Sequence, residues 1–182
     1  EYLISKENIY YLGKKIDNID LNTFQNLKYG ISKDKDNIYF NGINIKFLNG
    51  IELKDKDLKN IGKNYFRNKN NIYIVTDSDI DNEFWIYRLN LSSDLLDFKV
   101  ISKDYFINNG IGYYKTDQIG KIDEKTFKII RDKYSKDKNN IYFENKIIKN
   151  VDKKTFEILG YDYSRDRNNV YYRDKIYLNF IP

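Results

Sequence analysis

The stretch Ser135–Phe143 reads SKDKNNIYF, Ser32–Phe40 reads SKDKDNIYF, and Ser164–Tyr172 reads SRDRNNVYY. Three spellings of one phrase in a chain of 182 residues point to internal repeats, and repeats decide the architecture before any other feature does. Inside the phrase, Asp at the start and Asn near the end are turn chemistry. Asp bonds its own following backbone, and Asn tolerates positive φ. The flanking residues, Tyr134-Ser135-Lys136 on one side and Asn140-Ile141-Tyr142-Phe143 on the other, suit short strands. The phrase is therefore expected to form a hairpin.

The central aromatic residue sets the register. It is Tyr10, Tyr39, Tyr73, Tyr113, Tyr142 and Tyr171, with steps of 29, 34, 40, 29 and 29. A second phrase precedes the first: IDLNTF (Ile19–Phe24), IDEKTF (Ile122–Phe127) and VDKKTF (Val151–Phe156), with weaker copies SDLLDF (Ser93–Phe98) and LKDKDL (Leu53–Leu58). Its last residue lies 15 positions before the central Tyr in all five copies. Asp20, Asp123 and Asp152, each followed at three and four residues by Thr and Phe, fit the N-cap of a short helical turn. A second turn, Phe143-Glu144-Asn145-Lys146, leads into a further strand.

One unit thus reads as three short antiparallel strands with one short helical turn. The expected fold class is mainly β, built from tandem repeats of about 29 residues. A unit this small cannot bury its own face, so neighbours must stack. It is also shorter than a propeller blade of about 40 residues, which favours an open twisted stack over a closed ring. The expected organisation is a single repeat domain over 1–182. Its units run roughly 1–17 (a partial unit acting as a cap), 18–50, 51–91, 92–120, 121–149 and 150–182.

Composition narrows the chemistry. The chain has 18 Tyr, 11 Phe and one Trp, and no His, Cys or Met. A disulfide is excluded, as are imidazole and thiolate metal ligands. The commonest general base and the commonest soft nucleophile are absent as well. There is no Gly-rich phosphate loop and no nucleophile elbow, so no cofactor is expected and the enzyme reading is weak. The net charge of +5 is spread through interleaved runs such as KDKD, which gives no single-sign stripe for nucleic acid. No apolar run is long enough for a transmembrane helix. The chain begins at Glu1, which suggests removal of upstream residues and leans the expected location towards the cell envelope or secretion over the cytoplasm.

Four features are candidates for a site. The first is the ladder Tyr10, Tyr39, Tyr73, Tyr113, Tyr142 and Tyr171. Neighbouring positions vary among apolar types, while the ladder position keeps its hydroxyl. That constancy signals a hydrogen-bonding demand, met either by a neighbouring backbone in a packed array or by an exposed ladder that stacks on sugar rings. The second is the acidic hairpin Thr76–Glu83, where Asp77, Asp79 and Asp81 occupy positions 1, 3 and 5 of a calcium-loop pattern. Asn82 replaces the required Gly and Arg88 the required Glu, so the full motif fails and a weak cation site is the most it could be. The third is the set of Asp-Lys-x-Asn turns, which hairpin geometry explains without an ion. The fourth is Trp85, in the least regular unit. It is read either as a partner anchor or as a core filler.

The segments Asp34–Phe40, Asp137–Phe143 and Asp166–Tyr172, with their Thr-Phe partners, resemble the DKNYY family of bacterial repeat proteins. The resemblance covers nearly the whole chain and is weakest from about Thr76 to Asn109. It implies a repeat fold and carries no activity, substrate or catalytic residue.

The favoured expectation is a non-catalytic binding or scaffold module, displayed at a bacterial envelope, with a protein or polysaccharide partner. In its sugar-stacking form it expects exposed ladder tyrosines. The alternatives are an inhibitor or immunity-type protein that occludes a partner through residues 76–112, and a carboxylate-based glycosidase with two acids across a cleft.

Overall fold

Each of the three phrases forms its hairpin. In the clearest copy, Tyr134–Lys136 pairs antiparallel with Ile141–Phe143, which sets Ser135 opposite Tyr142. Ile31–Lys33 pairs with Ile38–Phe40 and Tyr163–Arg165 with Asn169–Tyr172 in the same register, so Ser32 faces Tyr39 and Ser164 faces Tyr171. One strand before and one after complete a meander: Lys128–Arg131 and Lys146–Ile147 around the first hairpin. The structure, a computed structural model, describes residues 2–45, 47–48, 51–52, 57–77, 84–89, 91, 95 and 97–179, with backbone alone at 47–48, 51–52, 77, 84–85 and 179.

Among the described residues there are six antiparallel sheets of three or four strands, each in simple chain order, and one two-stranded ribbon, Phe47–Leu48 with Ile51–Glu52. The first sheet has three strands, Tyr2–Ile4, Ile9–Tyr11 and Lys14–Lys15. No described segment is helical, and no sheet closes into a barrel.

The expected helical turn is therefore corrected. In IDEKTF, the N–H groups of Thr126 and Phe127 donate to the Asp123 carbonyl at 3.1 and 2.9 Å, and strand begins at Lys128. The Asp does bond its following backbone as an N-cap would: Asp123 Oδ1 accepts the Thr126 N–H at 3.1 Å. The chain then has only one turn before the next strand claims its backbone. One turn fixes several dihedrals for very few bonds, so no helix propagates.

The chain forms two compact units, Glu1–Ser93 and Asp94–Pro182. Within each, successive sheets pack face to face. Every sheet has a leading face, carrying the ladder Tyr, and a trailing face. In the second unit, the trailing residues Tyr134, Ile141, Phe143 and Ile148 are buried against the leading Tyr171 and the partly buried Phe156 and Ile158 of the next sheet. In the first unit, trailing Ile31, Ile38 and Phe40 are buried with leading Phe66 and Tyr73 and with Leu58. Burying such side chains contributes about 1.5–3 kcal/mol each, and the contact between sheets supplies most of it here.

Candidate functional site

The phrase carries a buried carboxylate that uses both oxygens. Asp137 Oδ1 accepts the backbone N–H groups of Asn139 and Asn140 at 2.8 and 2.7 Å. Its Oδ2 accepts the Tyr142 hydroxyl at 3.0 Å and the Asp123 N–H at 2.9 Å. Asp34 makes the same four bonds to Asp36, Asn37, Tyr39 and Asp20, and Asp166 to Asn168, Asn169, Tyr171 and Asp152. Each carboxylate therefore closes its own turn, holds the ladder Tyr further along the phrase, and ties down the Thr-Phe phrase that precedes it. Burial pushes the Asp137 carboxyl up, but the backbone donors and the Tyr142 hydroxyl together outweigh it and hold the group below the ordinary carboxylate range. Asp34 and Asp166 are lowered by the same balance.

A second clip runs beside the first. Thr23, Thr126 and Thr155 each accept, on Oγ1, the N–H of the residue after the buried Asp, namely Lys35, Lys138 and Arg167, at 3.0, 2.9 and 3.1 Å. Those cations pair in turn with Asp20, Asp123 and Asp152 at 2.8, 2.7 and 2.7 Å. The cations are solvent-exposed while the carboxylates are largely covered, and ion pairs with an exposed partner contribute little.

The ladder lies mostly inside the fold. Tyr39, Tyr73, Tyr142 and Tyr171 are buried, while Tyr10 and Tyr113 are half-buried. The exposed row that a sugar-stacking site needs is thus not what the array presents at the four buried positions. The hydroxyls of Tyr142 and Tyr171 are pushed up to about 12, chiefly by burial, with the adjacent Asp137 and Asp166 also raising them. The unit of Tyr73 reverses the polarity. Asn68 replaces the Asp, still closes the turn through Oδ1 to the N–H groups of Asn70 and Asn71, and donates from Nδ2 to the Tyr73 hydroxyl at 3.1 Å. In the first sheet Ser5 takes the position and accepts the Asn8 N–H at 2.9 Å.

The other sequence candidates fare differently. Asp79 and Asp81 lie outside the described residues, as do the side chains of Asp77 and Trp85; Asp77 and Trp85 are located by backbone alone, on paired strands Ile72–Asp77 and Phe84–Arg88. Of the region 76–112, residues 78–83, 90, 92–94 and 96 also lie outside. Among the described residues no group of three or more His, Cys, Asp or Glu is arranged to hold a metal ion, and no helix is long and apolar enough to cross a membrane. A groove of about 640 Å³ runs beside the second clip, lined by Lys125, Phe127, Lys128, Lys136 and Lys138 among others; its one carboxylate is the fully bonded Asp137.

The arrangement gives the recurring polar letters of the phrase, from Asp to Tyr, bonds within the array, and the match to the family model runs over residues 2–175. This chain belongs to the DKNYY family. No curated protein and no solved structure matches it. In this DKNYY chain the Asp, the Lys or Arg, the second Asn and the Tyr of the family phrase are the hub, the clip, a donor and the ladder.

Sequence reasoning did not single out the apolar surface at the last sheet, Glu157–Gly160, Tyr163–Arg165, Asn169–Tyr172 and Lys175–Asn179. Tyr161, Tyr172, Tyr177 and Leu178 are exposed there, whereas Leu159 and Ile176 are exposed as their inner-sheet equivalents Ile130 and Ile147 are. Comparison of equivalent positions one repeat apart is the signal that exposes it. Buried Phe143 and Ile148 correspond to exposed Tyr172 and Tyr177.

Proposed function

We propose that this DKNYY protein is a non-catalytic binding or scaffold module working at the bacterial envelope. One observation carries the reading. The recurring polar residues of the repeats are consumed in closing their own turns and in tying each hairpin to the phrase that leads into it, whereas the last sheet leaves Tyr172 and Tyr177 open to solvent. Exposed aromatic rings that lie together, as Tyr163, Tyr172 and Tyr177 do, mark an interaction surface more often than they mark chemistry. The buried carboxylates each serve four donors, which suits an architectural task and leaves little capacity for proton transfer.

The experiment is co-sedimentation of the purified chain with isolated bacterial envelopes and with purified wall polysaccharide. Retention that falls when Tyr177→Ser and Leu178→Ser are introduced together supports the reading. Absence of retention on every fraction, or hydrolytic turnover of a wall polysaccharide, overturns it.

A further inference from the structure

We infer that the lysine-lined groove of the second compact unit binds a phosphate-bearing polymer, a chain of phosphodiester groups joined by uncharged linkers. The inference deepens the envelope reading, on which it rests for the source of the polymer.

The fold sorts charges that alternate along the chain. In sequence, Asp137 stands between Lys136 and Lys138. In the structure Asp137 is turned inward, 5% exposed, and its two oxygens are occupied by four donors. Lys138 is left outside and Lys136 half-covered. With Lys125, Lys128 and Lys153 they line one open groove of about 640 Å³. The other carboxylates of the two Thr-Phe phrases, and Glu157 just beyond them, are already paired. Asp123 meets Lys138 at 2.7 Å, Glu124 meets Lys99 at 2.7 Å, Asp152 meets Arg167 at 2.7 Å and Glu157 meets Arg165 at 2.9 Å. Among the described residues Lys125, Lys128 and Lys136 have no ion-pair partner. The Lys153 ammonium donates to the Lys138 and Asn139 carbonyls at 2.7 and 2.8 Å, which fixes its position without cancelling its charge.

Lys128 and Lys136 stand directly opposite each other on paired strands. Like charges at facing cross-strand positions repel and destabilise a sheet. The equivalent couples of the other sheets differ. Glu157 faces Arg165 as an ion pair, Gln25 faces Lys33, and Lys99 faces Ile107 and pairs with Glu124. Lys59 faces Arg67, and there Arg67 is engaged by a further interaction. Of the five couples, Lys128 and Lys136 alone keep two like charges with no partner among the described residues, and they do so on the wall of a groove that adds three more lysines. A bound phosphate relieves that repulsion. One exposed ammonium–phosphate contact is weak, but contacts to successive phosphates of one chain add through effective concentration and counterion release, so an open groove favours a polymer over a small anion. Phe127, the one aromatic ring lining the groove, is partly buried against Tyr105 and Tyr142. No ring is offered there for a nucleobase to stack on, and recognition is of phosphate alone.

The test replaces Lys128 by residues the chain itself uses at the equivalent position, Lys128→Gln (as at Gln25) and Lys128→Glu (as at Glu157). Poly(glycerol phosphate) is the probe. Lys14→Glu, at an exposed lysine of the first compact unit, controls for net charge. In titration calorimetry at low salt, wild type is expected to bind the polymer. Binding should weaken from wild type to Gln to Glu, by about tenfold or more for Glu, and the slope of log K against log salt should become shallower by about 1–2. Without polymer, the urea midpoint should rise in that same order, because the repulsion is relieved. Binding and stability moving in opposite directions mark a charge pair that serves a ligand. The inference is overturned if wild type does not bind the polymer, if the urea midpoint fails to rise, or if Lys14→Glu weakens binding as much as Lys128→Glu does. It is also overturned if free inorganic phosphate or a single-stranded oligonucleotide binds as tightly as the polymer. Envelope retention without polymer binding sinks the groove assignment and leaves the module reading intact, whereas polymer binding without envelope retention does the reverse.

Discussion

Asp137 and Tyr142 are bonded through Oδ2 at 3.0 Å, and the same oxygen holds the Asp123 N–H from the preceding phrase. One buried carboxylate thus fixes a turn, a strand and the entry to the sheet. A hydrogen bond to a charged group contributes about 1.5–3 kcal/mol, and leaving a buried charge short of a donor is costly. Tyr142→Phe is expected to destabilise the protein by about 1.5–3 kcal/mol in urea denaturation. Asp137→Ala should cost more than Asp137→Asn. The Asn can still close the turn and donate to the ladder hydroxyl, as Asn68 does for Tyr73. Equal losses from Asn and Ala would show that the turn bonds contribute nothing.

Stability should fall at both ends of the pH scale, for opposite reasons. Asp34, Asp137 and Asp166 have lowered carboxyl pKa values in the fold. Below the unfolded value of about 3.9 the unfolded chain binds more protons, so their contribution is present above that pH and is lost as pH falls through the folded values. Tyr142 and Tyr171 are raised to about 12. Their contribution is complete below the unfolded value of about 10 and is lost as pH rises through about 12. Thermal melts across pH should show both declines. Tyr142→Phe should weaken the alkaline one, and an unchanged alkaline slope in that variant would count against a buried phenol.

The repeat period, the hairpins and the hydroxyl demand of the ladder were legible because each depends on local chemistry that returns once per unit. The turn at Asp123 was legible in its bonds but not in its continuation. An Asp ahead of a polar pair and Thr-Phe offers the same acceptor to a helix N-terminus and to a single turn, and only the strand waiting at Lys128 decides between them. The packed reading of Tyr142 was one of two the sequence offered, and the structure adds why it is buried. Alternation separates it from Ile141 and Phe143, yet both faces of an inner sheet are covered, so all three are buried. The exposed rings of the last sheet needed the structure, because Tyr172 and Tyr177 stand one repeat after the buried Phe143 and Ile148 and read as core positions.

Gly42 and Gly13 follow the same kind of turn and separate two costs. Both have left-handed φ, 78 and 81. A Cβ on Gly13 would meet nothing within 4 Å, whereas on Gly42 it would lie 2.7 Å from the Tyr11 Cβ of the preceding sheet. Gly13→Ala is expected to cost only the backbone strain, about 1–2 kcal/mol. Gly42→Ala should add an overpacking cost of about 1–3 kcal/mol and loosen the first sheet from the second. Amide exchange at Ile9 and Tyr11 would then speed up in the Gly42 variant and not in the Gly13 variant. Matching stability losses in the two would mean that the sheets separate freely to admit a methyl group.

The buried hydroxyls of Tyr105 and Ser135 argue for a coupled pair between adjacent sheets. Neither hydroxyl has a hydrogen-bond partner of ordinary geometry. Burial raises the Tyr105 phenol strongly, and the Ser135 hydroxyl facing it is the largest influence pulling the other way. Hydroxyl protons rotate, so a small shift that brings two such groups together lets them satisfy one another at little cost. Removing one strands the other, while removing both leaves an apolar contact. Ser135→Ala and Tyr105→Phe should each cost about 1–2 kcal/mol, and the double variant should cost less than their sum by about 0.5–1.5 kcal/mol. Strict additivity in that cycle would show that the two hydroxyls are buried side by side without bonding, and that the Tyr at this position is kept for its ring alone.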